Sequence, residues 1–491
     1  MSFYIYDITF LVIFSIVVGI FLWRKKHNLK REGILYLYRT QVGLKFIDHV
    51  GGKYKKTISV LAFLGVVTGY ILMSSVAYLF YKLVYIYLFA PEIVREIKIP
   101  PLMPLIPYLP EAFNISFLPP FYFTYWIIAI AVIAIFHEFA HGIVARRYDV
   151  KILTTGFGFL GPFLAAFVEP DEKSMYKKTK YQQIAILSAG VFTNFILAII
   201  FFLLLSAFFV TAYVPAGAIF NTYTIGEVPL SSIDSIGGKS ITDHTREGIL
   251  KAIADNNIND TLVLGSNGKS VTLTKVIAQN DSYFITIDKL KVQLEKKRDS
   301  ILLYYDYPAI NAGLQGAIIQ IDDKQIIEYN DLSEVMKNYK PGDVVTITTK
   351  DSSDGKEEIL EYPITLVPDP ENPERAIIGI GFVDGGSGLL STMTYFFTFS
   401  KKQATNYEPR FNVNLVLFIY NLIWWLGVIN LSVAIMNMWP MGIFDGGRMF
   451  MLTVWGITGS EKFAQYAFKF VTYIILGALF LLMFGWFIAV F

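Results

Sequence analysis

The chain has 491 residues, of which 54% are hydrophobic and only 17% charged, with a net charge of +2. So apolar a composition excludes a large soluble enzyme and implies an integral membrane protein with a soluble portion; balanced charge without a dense basic-aromatic patch gives no case for nucleic acid. No cysteine is present, which excludes disulfides and thiolate metal sites and leaves histidine and carboxylate as transition-metal ligands.

In chain order, residues 4–23, 58–81, 120–144, 184–213, 413–438 and 463–491 are long and apolar enough to cross a lipid bilayer. The first has no basic run before it and no small-residue cleavage site after it, and reads as a retained anchor. Lysine and arginine crowd residues 24–57. The positive-inside rule makes that segment cytoplasmic and puts the N-terminus outside. Alternation then places the proline-rich loop 91–119 outside, Arg146, Arg147 and residues 169–181 inside, and the long polar stretch 214–411 outside. The two spans and basic segment of residues 1–119 form an N-terminal membrane region to which the sequence assigns no role.

The third span ends in His137-Glu138-Phe139-Ala140-His141. At i and i+4 the imidazoles share one helix face, about 6 Å apart along the axis, and can ligate one Zn²⁺. Glu138, rotated by about 100°, reaches the open coordination position as a general base toward water. With five histidines in the chain, a chance match has a probability of roughly 1% or less. The competing reading, an exposed helix end carrying solvated polar residues, has apolar neighbours on both flanks against it. Ionisable groups in a spanning helix are costly and mark function.

Residues 154–168 are apolar but too short to cross, and are broken by Gly156, Gly158, Gly161 and Pro162. Irregular backbone at membrane depth must be buried in protein or line a cavity. A re-entrant hairpin over the catalytic cavity and an interfacial loop both remain open.

Residues 214–411 change to short strands, Gly-Asp turns and many charges. Two stretches repeat strand, tight turn, strand, helix, strand: one around Ile233 to Leu264, the other around Ile321 to Thr349. The second unit, within 305–411, resembles a PDZ domain of the kind found in prokaryotic proteases. The first, within 214–304, is a weaker match and lacks the Ala312-Gly313-Leu314 lead-in. That resemblance implies peptide capture by strand addition, with a terminal carboxylate held by the amides of Gly379, Ile380 and Gly381. Packing alone, or screening of access by size, is the other reading. The expected fold is a polytopic α-helical membrane protein of about six transmembrane helices and one re-entrant hairpin, with an inserted α+β PDZ-like soluble region.

A catalytic zinc wants three protein ligands and an open position. Asp445, in Asn437-Met438-Trp439-Pro440-Met441-Gly442-Ile443-Phe444-Asp445-Gly446-Gly447, follows the inner end of the fifth span, at the depth of the histidine pair. Proline and paired glycines break the helix there and let Asp445 turn to the metal.

With these residues assembled, the chain resembles the site-2 protease family of intramembrane zinc metalloproteases. The match rests on His137 to His141, on Asn437 and Pro440 leading to Asp445-Gly446-Gly447, and on Gly190 and Asn194 in the span between. It covers about 120–491, with the catalytic core in 120–213 and 412–491. The one departure is Phe444 where the family has leucine before Asp-Gly. It changes packing and spares the ligand, so the site is expected to be active. The resemblance implies regulated intramembrane proteolysis of single-span membrane proteins, often after an upstream protease has shortened them. Asn437 and Asn194 would hold unwound substrate or the developing oxyanion, or else bond helix to helix. A peptide-binding scaffold or receptor with PDZ-like modules and an inactive metal site is the alternative. A zinc transporter ranks below it, since one ligand cluster makes no continuous path.

Overall fold

The computed structural model describes residues 3–490 apart from 34, 91–93, 95–99, 114, 116–117, 161–162, 255–259, 267–268, 296–297, 352–356 and 383–400. Its chain forms two compact units, Met1–Phe208 with Asn414–Phe491, and Phe209–Val413.

The first unit is built on helices α1 (Phe3–Lys25), α2 (Leu44–Lys53), α3 (Lys55–Phe89), α4 (Phe123–Arg147), α5 (Lys180–Ala212), α6 (Val413–Asn437), α7 (Asp445–Thr458) and α8 (Glu461–Val490). All but α2 and α7 are long and apolar enough to cross a membrane, and they coincide with the six spans read from the sequence. No proline interrupts them, so every interior N–H finds its own i−4 carbonyl, as an apolar medium demands.

Helices α2 and α3 contribute Ile47, Ile58, Ala62 and Leu72 to this unit's core. Ile47 of α2 packs where Gly142 of α4 has no side chain, and a Cβ on Gly142 would lie 3.0 Å from the Ile47 Cδ1. Gly69 of α3 lets Met449, Ser188 and Met438 approach, and the Tyr70 hydroxyl meets the Thr453 hydroxyl of α7 at 2.5 Å. Small residues at such crossings permit the close packing that holds membrane helices together.

Asp7 of α1 is buried. Its carboxylate accepts the N–H groups of Phe123 (2.7 Å) and Thr124 (2.9 Å), the Thr124 hydroxyl (2.5 Å) and the Tyr108 hydroxyl. The first N–H groups of a helix have no partner within it. The first span therefore caps the helix that carries the histidine motif, with an anion at its positive end.

The glycine-broken stretch after α4 is a β-hairpin. Strands β1 (Leu29–Glu32), β2 (Leu35–Thr40), β3 (Ile152–Leu160) and β4 (Phe163–Pro170) form one antiparallel sheet in that order; Gly161 and Pro162 lie outside the described residues. Half of the sheet thus comes from the basic segment after the first span. Gly156 is required where β2 and β4 converge, since a Cβ there would lie 2.4 Å from the Tyr38 carbonyl oxygen and 2.5 Å from the Phe167 ring. Arg39 of β2 pairs with Glu169 of β4 at 3.0 Å, and Glu169 also accepts the Thr154 hydroxyl at 2.7 Å. β4 is an edge of this sheet.

Among its described residues the second unit holds two larger sheets besides two short two-stranded pairings. In the first, Ile225–Pro229, Ser300–Tyr305, Asp281–Ile285, Lys269–Ala278, Ile233–Ile236 and Lys239–Ser240 pair in that order, and Thr261–Ser266 also pairs with Lys269–Ala278. Ile249 and Leu290 from helices Arg246–Ala254 and Ile287–Glu295 complete its core with Ile233, Val276 and Leu303. The second sheet runs Glu358–Thr365, Val344–Asp351, Ala317–Ile321, Tyr213–Ala218, Thr405–Pro409, with Leu332 of helix Tyr329–Met336 packed among Ile318, Ile321 and Ile347. Both repeats have the expected element order. The boundary at 214 needs correction, because Tyr213–Ala218 belongs to the second sheet, where the two ends of the insertion pair with each other.

Candidate metal site

His137 and His141 lie one turn apart on α4, with their Nε2 atoms 3.0 Å from each other. Asp445 Oδ2 is 3.5 Å from His137 Nε2 and 3.4 Å from His141 Nε2. Three such atoms crowded this closely repel one another unless a proton or a metal cation lies among them. Zinc bonds of about 2.0–2.2 Å in a tetrahedron imply ligand-to-ligand edges of about 3.4 Å, so the residues fit such an ion. Among the described residues, this is the group able to hold a metal.

α5 supports the pair from behind, along one face at i, i+4 and i+8. The Ile186 carbonyl lies 2.7 Å from His141 Nδ1 and accepts its N–H, which leaves the Nε2 lone pair free for a metal. At Gly190 a Cβ would lie 2.5 Å from His141 Nε2 and 2.7 Å from His137 Nε2, so only glycine lets both rings in. Asn194 Nδ2 lies 2.9 Å from His137 Nδ1, and the buried Oδ1 has no hydrogen-bond partner. With the carboxamide turned by 180°, which exchanges its O and N positions, Oδ1 accepts from Nδ1–H and gains a partner, and Asn194 then does for His137 what the Ile186 carbonyl does for His141. Of the two readings of Asn194, its full burial behind the ring favours a bond between helices over contact with substrate.

Asp445 opens α7 after the chain breaks at the end of α6. The turn is tight enough that a Cβ on Gly446 would lie 2.4 Å from Met438 backbone, and one on Gly447 2.2 Å from the Met441 carbonyl oxygen. Trp439 and Met441 bury themselves against Val76 of α3 and Ile475 of α8, fixing the break that aims the carboxylate.

A cavity of about 700 Å³ opens on the triad and is also lined by Glu138, Asn437 and the β4 residues Leu164, Ala166 and Val168. Glu138 Oε2 accepts the Val168 N–H at 3.0 Å. Sequence reasoning found His137, Glu138, His141, Asp445 and Asn437, which the structure gathers around this one cavity. It missed the Ile186 carbonyl and the Val168 amide, since backbone groups carry no residue signature. The purpose of Gly190 was legible only as a spacing with Asn194.

In the second unit, Gly379, Ile380 and Gly381 line a groove of about 1050 Å³ with Tyr329, Leu332 and Met336. Gly379 has φ +94°, and a Cβ there would lie 2.4 Å from that of Tyr307. Its carbonyl accepts the Thr224 N–H, and Ile380–Gly381 pairs with Thr222–Tyr223, so part of the expected carboxylate loop is already engaged in strand pairing.

The model of peptidase family M50 matches residues 125–482, more than two thirds of the chain.

Proposed function

Since the chain belongs to peptidase family M50, the site-2 protease family, and is by family a membrane metalloprotease, we propose that it hydrolyses peptide bonds in or beside the transmembrane segments of other membrane proteins, with one zinc ion held by His137, His141 and Asp445. The observation that carries this reading is the convergence of three ligand atoms within 3.0–3.5 Å of one another beside a glutamate in a cavity walled by spanning helices. When bound, zinc supplies a Lewis acid that polarises the scissile carbonyl and acidifies water.

Glu138 takes a proton from the attacking water as its oxygen bonds to the carbonyl carbon. It returns a proton to the amine nitrogen as the C–N bond breaks. Asn437, on the cavity wall, offers its carboxamide N–H to the substrate backbone or the developing oxyanion. A helical substrate hides its peptide groups in its own hydrogen bonds, and once unwound it must satisfy them elsewhere in an apolar medium. The open edge of β4 meets that need by accepting an added strand.

The substrates of this reading are single-span membrane proteins, trimmed beforehand by an upstream protease. The protein is a multi-pass component of the bilayer, with its catalytic side toward the cytoplasm and residues 214–411 outside. The groove at Gly379, Ile380 and Gly381 serves as a PDZ-like peptide site.

The test is zinc stoichiometry of the purified protein together with cleavage of a panel of single-span substrates. Glu138→Gln should keep zinc and lose cleavage by about 10²–10⁴-fold, and Asp445→Ala should lose zinc. A parent protein without zinc, or a Glu138→Gln protein that cleaves at the parent rate, would hand the assignment to the peptide-binding scaffold.

A further inference from the structure

One amide on the β4 edge is already engaged. In an antiparallel ladder, alternate residues turn their N–H and C=O toward one neighbouring strand or away from it. Val168 lies opposite Thr155, Ala166 opposite Phe157 and Leu164 opposite Phe159, with no shift of register among them. The Val168 N–H leaves the sheet and meets Glu138 Oε2. Ala166 and Leu164 therefore turn their peptide groups the same way, while Phe167 and Ala165 bond to β3.

We propose that the Val168 amide is a positioning group for Glu138 and marks the end of the edge open to substrate. It fixes one carboxylate oxygen and leaves the other for proton transfer. An added strand pairs with Leu164 and Ala166, stops short of Val168, and delivers its next peptide group into the space between Glu138 and the triad. Arg39 and Thr154, by holding the adjacent Glu169, keep Val168 in place. This inference rests on the proposed addition of substrate to β4.

Proline removes an N–H while keeping an extended backbone, and is tolerated on an edge strand. A proline scan of the full-length, zinc-loaded protein on one single-span substrate separates the roles of the amides. Val168→Pro should lower kcat by about 10–100-fold, the scale of one hydrogen bond to a charged group, with KM within about 2-fold and zinc content unchanged. Ala166→Pro should instead raise KM by about 10-fold. The ester analogue of valine at 168, which deletes the same N–H without a ring, should reproduce the Val168→Pro result should the proline variant fail to fold.

Loss of the 168 N–H that raises KM and spares kcat would give this amide to the substrate and overturn the proposal. So would loss of the N–H without effect on either constant. A lowered kcat at 168 combined with an unchanged KM for Ala166→Pro would retain the positioning role and refute strand addition, so the two readings fail separately.

Discussion

Replacing Gly190 with alanine adds one methyl group where α5 faces the two imidazoles, and it sets two energies against each other. Alanine is the better helix former by about 1 kcal/mol, whereas overpacking costs about 1–3 kcal/mol. The protein should therefore fold with stability within roughly 2 kcal/mol of the parent. The metal site should not survive. The new Cβ would lie 2.5 Å from His141 Nε2, where ordinary contact begins at 3.4 Å. That ring must retreat by about 0.9 Å, while metal-ligand distances tolerate only about ±0.2 Å. Changes to groups behind a ligand typically cost about 10–100-fold in metal affinity, and displacement of two ligands at once belongs at the upper end of that range or beyond it. Titration of the detergent-solubilised protein against a competing zinc chelator, with thermal unfolding alongside, reads both quantities. A folded Gly190→Ala protein with parent zinc affinity would refute the argument that this glycine exists for the histidines.

Asp7→Ala strands the Phe123 and Thr124 N–H groups at the start of α4, while the Thr124 and Tyr108 hydroxyls can rotate to other acceptors; at about 1–3 kcal/mol per unsatisfied buried N–H, thermal unfolding should show destabilisation of about 2–6 kcal/mol, with Asp7→Asn milder. Arg39 and Thr154 hold the Glu169 carboxyl below its ordinary range. The stabilisation that this pair gives is present above the unfolded carboxylate value of about 4.3 and is lost as pH falls through the lower folded value. For a partly exposed pair it amounts to at most about 1 kcal/mol, and acid-unfolding curves of Arg39→Ala and parent should converge at low pH. The chain has no cysteine, so Asp323→Cys should react with an impermeant thiol reagent on intact cells and Tyr36→Cys should not; the reverse pattern would invert the topology.

The sequence alone determined what is local. Six apolar runs each satisfy their own backbone as helices, and an i, i+4 histidine pair shares a helix face whatever surrounds it. Asp445 was legible because the helix-breaking Pro440, Gly446 and Gly447 sit beside it in the chain. What the tertiary structure decided is non-local. β2 pairs with β3 across more than a hundred residues, so the basic segment, which reads as a simple cytoplasmic loop, builds half of the sheet beside the cavity. Nothing in the sequence singles out Asp7; its role emerges only once the first N–H groups of α4 are placed against it. Asn194 offered two equal readings, since a carboxamide in a membrane helix bonds equally to substrate or to a neighbouring helix, and only the position of the His137 ring selects between them. The Val168 amide was beyond any reading of side chains: every residue but proline carries that N–H, and its use depends solely on which way the strand turns it.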